Sequence, residues 1–321
     1  MNYWILLRDQ GALDYSKGRE LLDKAIDLVR SKKCIFIVSE MTYYEIIKQS
    51  DAVTRTNTLK IIEQLSEGIS LVGMETRIVN ELIFWLNNKL NKPTQPIEQS
   101  IWAKFQLIIK YNELLTLQFT VNNATHQNAM FDYWSNFSIP DAVNNEFLLQ
   151  HPFHYKDNIV ELNLNKELYK DQNKTPVQMF LSELAGHLDA CNPLLEKALL
   201  QDFFNKTGRY PAEKERNPEL IHEFRAAIFS NFIANQIGAY LPFFNIYSTL
   251  FGKFRWNKNR KYKDGNDTLD VMHACGALPY CDYFFTENEL GTLINQERFN
   301  QLYNCQVASK LADVFNILST I

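Results

Sequence analysis

The chain has 321 residues, of which 46% are hydrophobic and 22% charged, a composition typical of a folded globular protein with a sizeable core. Its net charge of -4 argues against a uniformly basic surface, although one local basic patch is compatible with it. The five cysteines are scattered, with no CxxC pair, which predicts a reducing, cytoplasmic location, and no apolar run of about 18 residues predicts a membrane span.

The first 75 residues alternate between helical and strand patterns. Apolar residues recur at helical spacing over 19–32, and the run CIFIVS (34–39) predicts a buried strand. A helical pattern returns over 54–67, and ISLVG (69–73) predicts a second strand. This alternation predicts a parallel sheet flanked by helices.

The middle of the chain has a different pattern. Residues 76–92 and 100–119 are predicted as helices, and further helical patterns run from 174 to 251. The stretch 120–173 is rich in Asn and has no clear periodicity. We therefore predict a large, mostly helical insertion over 76–255.

The α/β pattern resumes near the C-terminus. Residues 267–276 are predicted as a helix, and CDYFFT (281–286) as a strand. We expect one discontinuous α/β domain, made of residues 1–75 and 256–321, with the helices lying between its two parts.

Acidic residues occur beside the predicted strands. Glu45 follows the strand 34–39, Asp270 lies on the helix before CDYFFT, Asp282 opens that strand and Glu287 follows it. Ligands bind beyond the carboxyl ends of strands in open α/β sheets, and converging carboxylates require a cation to stay ionised together. Carboxylate oxygens select Mg²⁺ or Mn²⁺. Each acid alone also has an ordinary structural interpretation, as a cap or a partner of the helix dipole, so spacing leaves both interpretations open.

Two segments resemble motifs of the PIN-like nucleases. NDTLDVMHACGALPYCDYFFTENEL (266–290) has the acidic helix start, small-residue helix, strand and Thr-acid pair of the C-terminal motif, and SEMTYYE (39–45) resembles the second motif. The resemblance covers residues 1–75 and 262–300. It implies an α/β fold with a PIN-like parallel sheet flanked by helices, and metal-dependent hydrolysis of nucleic acid, with RNA favoured over DNA.

The resemblance also implies the residues of the site. As catalytic residues it gives Glu45, Asp270, Asp282 and Glu287, the first three as ligands of Mg²⁺ or Mn²⁺. Thr286 would support the site by hydrogen bonding, and Asp267 and Asn288 are weaker matches.

One departure concerns the first motif. The family begins with a strand that ends in Asp-x-Asn, and Asn2 occupies the place of that Asn, so the Asp would precede Met1. We expect a chain truncated at its start. The alternative is a naturally defective copy that lacks the central strand of its sheet and is inactive.

A basic segment precedes the C-terminal motif. KFRWNKNRKYK (253–263) interleaves Lys and Arg with aromatic residues, which predicts contacts with phosphates and stacking on bases, although a solvated loop is the ordinary interpretation. His273, one turn after Asp270, is predicted either to face the site or to be a core histidine. The predicted substrate-binding residues are Asn2, Lys258, Arg260, Lys261, His273 and Thr286.

Three functions follow from these observations. The first is a Mg²⁺- or Mn²⁺-dependent nuclease, which requires that the native chain contain the Asp upstream of Met1. The second is an inactive PIN-like module, without that Asp, that binds nucleic acid. The third is a scaffold whose helices bind a protein partner or inhibitor. No membrane partner is predicted.

Overall fold

The computed structural model describes residues 7–8, 15–109, 136–144, 157–262 and 266–321. The N-terminal part contains α1 (Tyr15–Arg30), α2 (Glu40–Ile47), α3 (Ala52–Ser66), β1 (Ile69–Leu71), α4 (Met74–Lys89), β2 (Trp102–Lys104) and α5 (Ile139–Val143). The helical middle contains α6 (Asp157–Leu168), α7 (Pro176–Ala190), α8 (Asn192–Thr207), α9 (Glu219–Ile233) and α10 (Pro242–Trp256). The C-terminal part contains α11 (Asn266–Ala277), β3 (Tyr283–Phe285), α12 (Asn288–Gln296), α13 (Phe299–Leu302), β4 (Gln306–Ala308) and α14 (Leu311–Thr320).

The described residues form two small sheets. Strand β1 pairs antiparallel with β2, and β3 pairs parallel with β4. A single parallel bridge joins Val38 to Ser70 at the edge of β1. The protein is therefore mostly helical with a minor strand content, which confirms a mixed α/β chain at that level.

Most of the predicted elements are present. The strands predicted at 69–73 and 281–286 are β1 and β3, and the helices predicted at 76–92 and 267–276 are α4 and α11. The prediction of a full strand over 34–39 is wrong in extent, because only Val38 forms a bridge.

The helix predicted over 100–119 is wrong at its start. Trp102–Lys104 form β2, whose side chains alternate between exposed and half-buried positions. A three-residue strand is too short to show a clear alternation, whereas the apolar residues that follow it have helical spacing, so the sequence predicts a helix through this stretch. The rest of that prediction, beyond residue 109, lies outside the described residues.

Local capping explains how α3 leads into β1. The side chain of Asp51 accepts a hydrogen bond from the N–H of Thr54 (2.6 Å), which fixes the helix start. At the other end Glu67 and Gly68 both have positive φ, 50° and 74°. This left-handed pair reverses the chain, so that β1 begins at once and runs beside the segment 35–38.

Three hydrophobic clusters stabilise the described part of the chain. The largest joins α4 and the helices α7 to α11, with Phe244 and Leu82 fully buried. The second packs α1 against α14. The third surrounds α2 and α3 and includes Phe105 and Ile139. Phe105 and Ile139, which fall within the predicted insertion 76–255, thus share a core with α2 and α3. The division into domains stays a prediction.

No helix in the described ranges has both the length and the apolar character needed to cross a membrane.

Candidate active site

Two helices bring the first acidic pair together. Helix α2 starts directly after the extended segment 35–38 and carries Glu45 on its second turn. Helix α11 carries Asp270 and His273 one turn apart, and it packs against α2. Residues separated by more than 220 positions in the sequence therefore meet at one end of the fold.

His273 lies between Ser39 and Glu45. Its Nε2 is 3.2 Å from Oε2 of Glu45, and its Nδ1 is 3.4 Å from Oγ of Ser39. The Glu45 side chain is only 11% exposed. Burial alone raises the pKa of Glu45, but the hydrogen bond and charge of His273, together with the charge of the N-terminal amine and its hydrogen bond, lower that pKa to about 2. Glu45 is therefore ionised, and His273 holds its carboxylate in place.

Asp270 has the opposite electrostatic environment. Burial raises its pKa to about 6, and the negative charges of Glu287 and Glu45 act in the same direction, whereas His273 opposes them. Neighbouring acids with pKa values pushed apart are typical of functional sites. The arrangement concentrates negative charge that a cation would neutralise.

The acidic residues lie at one end of a groove. Asp270, His273, Thr286 and Glu287 line that end, together with Ser39 and Thr42. The groove has a volume of about 1200 Å³ and is mainly apolar along the rest of its length. It runs between the segment 35–38 and β3, and we refer to it below as the groove.

Asp282 lies at the opposite end of β3 from Glu287. It immediately precedes β3, whereas Glu287 follows the carboxyl end of that strand. Five residues of extended chain separate the two by about 16 Å. The charge of Asp282 instead contributes to raising the pKa of the Cys34 thiol, at the other end of the groove, where burial is the main cause.

Arg260 is bound within the protein. Its guanidinium forms salt bridges with Asp267 and Glu289 and stacks over the ring of Phe254, with 3.7 Å from Cζ to the ring centroid. Asp267 is thus neutralised by Arg260 in this arrangement. Both residues therefore have a structural role here, beside any role in binding.

The other predicted binding residues are more exposed. Lys258 Nζ is 3.8 Å from Asp171, and both side chains are over 70% exposed. Lys261 is exposed as well. The amide of Thr286 donates to the carbonyl of Ala308 (3.0 Å), which holds that residue at the end of β3. Asn2 lies outside the described residues.

Sequence reasoning missed two contacts beside the site. Ser39, the first residue of SEMTYYE, contacts His273, and its place in that motif was the available signal. Glu40 has a structural role, because its Oε2 accepts the N–H of Met74 (2.9 Å) and so ties α2 to the start of α4.

Within the part of the chain that the structure describes, no three His, Cys, Asp or Glu side chains are grouped closely enough to hold a metal ion. No protein-family model, curated protein or solved structure matches the chain.

Proposed function

We propose that this protein is a PIN-like, metal-dependent nuclease that hydrolyses phosphodiester bonds, with RNA as the favoured substrate. The supporting observation is the meeting of Glu45 and Asp270 around His273, although they come from opposite ends of the sequence. The parallel pairing of β3 with β4 and the parallel bridge at Val38 are compatible with the proposed parallel sheet.

The donor chemistry fits a hard divalent cation. Glu45 and Asp270 would hold Mg²⁺ or Mn²⁺, with Glu287 near enough to influence the charge of Asp270. Such an ion supplies stabilisation of negative charge at the phosphate and a nucleophile at neutral pH.

The surrounding residues would prepare the site. His273 would orient Glu45, because it contacts the carboxylate on one side and Ser39 on the other. The basic segment leads directly into α11, so Lys258 and Lys261 would bind phosphates of the strand that enters the site.

A second candidate function is an inactive PIN-like module that binds nucleic acid or protein. It is favoured by the contact of His273 with Glu45, which occupies one carboxylate oxygen, and by the lack of a three-residue ligand group among the described residues. Metal-dependent turnover separates the two candidates.

The protein should cleave labelled single-stranded RNA when Mn²⁺ or Mg²⁺ is present and lose that activity in EDTA. Gel analysis of the products measures the rate, with single-stranded DNA of the same sequence as a parallel substrate. Binding of RNA without cleavage at any metal concentration would favour the inactive module.

Replacing Lys258 or Lys261 by Ala should weaken RNA binding and reduce the slope of log K against log salt by about one for each lost phosphate contact. Fluorescence anisotropy at several salt concentrations measures both quantities. Lys197 on α8, which lies far from the basic segment in sequence and is exposed, provides a matched control with an expected slope equal to wild type. An unchanged slope in both variants would remove this segment from the binding surface.

A further inference from the structure

The basic side chains of the segment 253–263 fall into two groups among its described residues. Three of them form salt bridges with acidic side chains outside the segment: Lys253, Arg255 and Arg260. The other two, Lys258 and Lys261, are exposed. Lys258 and Lys261 are therefore the residues of this segment best placed to bind phosphates.

The two exposed lysines lie on a loop, residues 257–262, whose backbone is bound by helix α6. Lys166 of α6 donates hydrogen bonds to the carbonyls of Phe254 (2.7 Å), Asn257 (2.7 Å) and Arg260 (2.5 Å). An ammonium group has three N–H donors, so Lys166 uses its full donor capacity on the loop and on the last turn of α10. We refer to residues 257–262 below as the basic loop.

The basic loop contains a turn over residues 257–260. The N–H of Arg260 donates to the carbonyl of Asn257 (3.1 Å) and closes this turn. Lys166 therefore binds the carbonyls of the first and the last residue of the turn. Lys258 is the second residue of the turn and Lys261 follows it, so the positions of both exposed lysines depend on the shape that Lys166 holds.

Asn163, one turn before Lys166 on α6, holds the end of the basic loop. Its side-chain nitrogen donates to the carbonyl of Tyr262 (2.9 Å), and its side-chain oxygen accepts the N–H of Tyr262 (3.1 Å). The Tyr262 side chain is buried and stacks beside the ring of Phe251. Two side chains on one face of α6 thus fasten the loop at its turn and at its end.

The position of Lys166 is not explained by acidic neighbours. Burial lowers its pKa, and the positive charges of Arg260 and Arg255 act in the same direction, whereas Asp267 opposes them. The hydrogen bonds to the three carbonyls must offset this cost. A lysine that only capped α10 would need the carbonyl of Phe254 alone, but two of the three acceptors belong to the basic loop.

We propose that Lys166 is a positioning residue for nucleic-acid binding, because it holds the turn 257–260 in the shape that presents Lys258 and Lys261 to phosphates. The inference rests on the proposed function, in which these two lysines bind the substrate. A loop that is already ordered loses little conformational freedom on binding, which favours affinity. Helix α6, which falls within the predicted insertion 76–255, would thus prepare a binding surface that lies outside the insertion.

Lys166→Met tests the proposal, because it keeps most of the side-chain stem and removes the ammonium. Fluorescence anisotropy with labelled single-stranded RNA, in EDTA and at several salt concentrations, should show about tenfold weaker binding than wild type. The slope of log K against log salt should not change, since the lost cation contacts no phosphate. In the free variant, amide exchange at Arg260 and Tyr262 should be at least about tenfold faster, with exchange in α4 as in wild type.

Two further variants complete the test. Lys170→Met removes the same charge two residues beyond α6, where the ammonium pairs with Glu167, and it should bind RNA within about twofold of wild type. Asn163→Leu removes both bonds to Tyr262 without a change of charge. It should weaken RNA binding about fivefold with an unchanged slope, and it decides the question should Lys166→Met not fold.

The possible results separate this role from the proposed function. Wild-type affinity in Lys166→Met and Asn163→Leu would overturn the positioning role and leave the proposed function standing. A slope reduced by about one in Lys166→Met would overturn it as well, because Lys166 would then contact a phosphate itself. Equal weakening by Lys170→Met would assign the effect to net charge. Wild-type protein that binds no RNA would contradict the nucleic-acid function and the positioning role together.

Discussion

Replacing Glu45 by Gln, or Asp270 by Asn, is expected to lower metal-dependent cleavage at least about 100-fold. Each change keeps the size of the side chain but removes the negative charge that would hold the cation. The loss should appear in single-turnover cleavage rates and in weaker Mn²⁺ binding, measured by calorimetry. Thermal unfolding should show that both variants remain folded, since neither change leaves a cavity.

Asp282→Asn provides the sharpest comparison for this prediction. The sequence resemblance includes Asp282 among the metal ligands, but the structure places it before β3, about 16 Å of extended chain from Glu287. Cleavage by this variant should stay within about twofold of wild type. An equal loss in all three variants would contradict the placement of Asp282, and unaltered cleavage by E45Q and D270N would remove both acids from the mechanism.

Local patterns predicted the elements that carry the site. Helix α11 and strand β3 follow from the periodicity and composition of 266–290, and the position of Glu45 follows from the short run before α2. The separation of Asp282 from Glu287 has a simple cause. Motif positions close in sequence lie far apart when the chain between them is extended, because each strand residue adds about 3.3 Å.

Contacts between residues that are distant in the sequence could not be predicted from local patterns. The sequence around Arg260 predicts a solvated basic loop. In the structure Arg260 forms salt bridges with Asp267 and with Glu289, which lies 29 residues after Arg260 in the sequence. Only the packing of α12 near the basic segment makes that contact available. In the same way, no periodicity indicates that Phe105 and Ile139 share a core with Val38.

Removing the carboxyl group of Glu81 is expected to destabilise the protein more than any surface change. Glu81 is fully buried on α4, where its Oε2 accepts the N–H of Phe243 (3.0 Å) and its Oε1 accepts the hydroxyl of Tyr280 (2.7 Å). These bonds tie α4 to α10 and to the residues after α11. Glu81→Ala leaves both buried donors without an acceptor, so unfolding free energy should fall by about 3–5 kcal/mol.

Two variants control for this effect in urea unfolding. Glu75→Gln changes an exposed acid on the same helix and should alter stability by less than about 0.5 kcal/mol. Glu81→Gln keeps one acceptor oxygen for the Phe243 amide, and its NH₂ group can donate to the hydroxyl oxygen of Tyr280, so it should cost less than Glu81→Ala. Equal stability of Glu81→Ala and wild type would contradict the assigned role of this carboxyl group.

The same residue should make stability depend on pH. Burial raises the pKa of Glu81 to about 7 from 4.5, although Arg77, Tyr280 and Phe243 each oppose the rise. Between these pH values the folded chain keeps a proton that the unfolded chain has lost, so stability falls as pH rises. The contribution of Glu81 is full below pH 4.5 and is lost by pH 7, a decrease of about 3 kcal/mol. Glutamine does not titrate, so the unfolding free energy of Glu81→Gln in urea should not show this decrease between pH 5 and pH 8. If the variant has the same pH dependence as wild type, Glu81 is already ionised at pH 5.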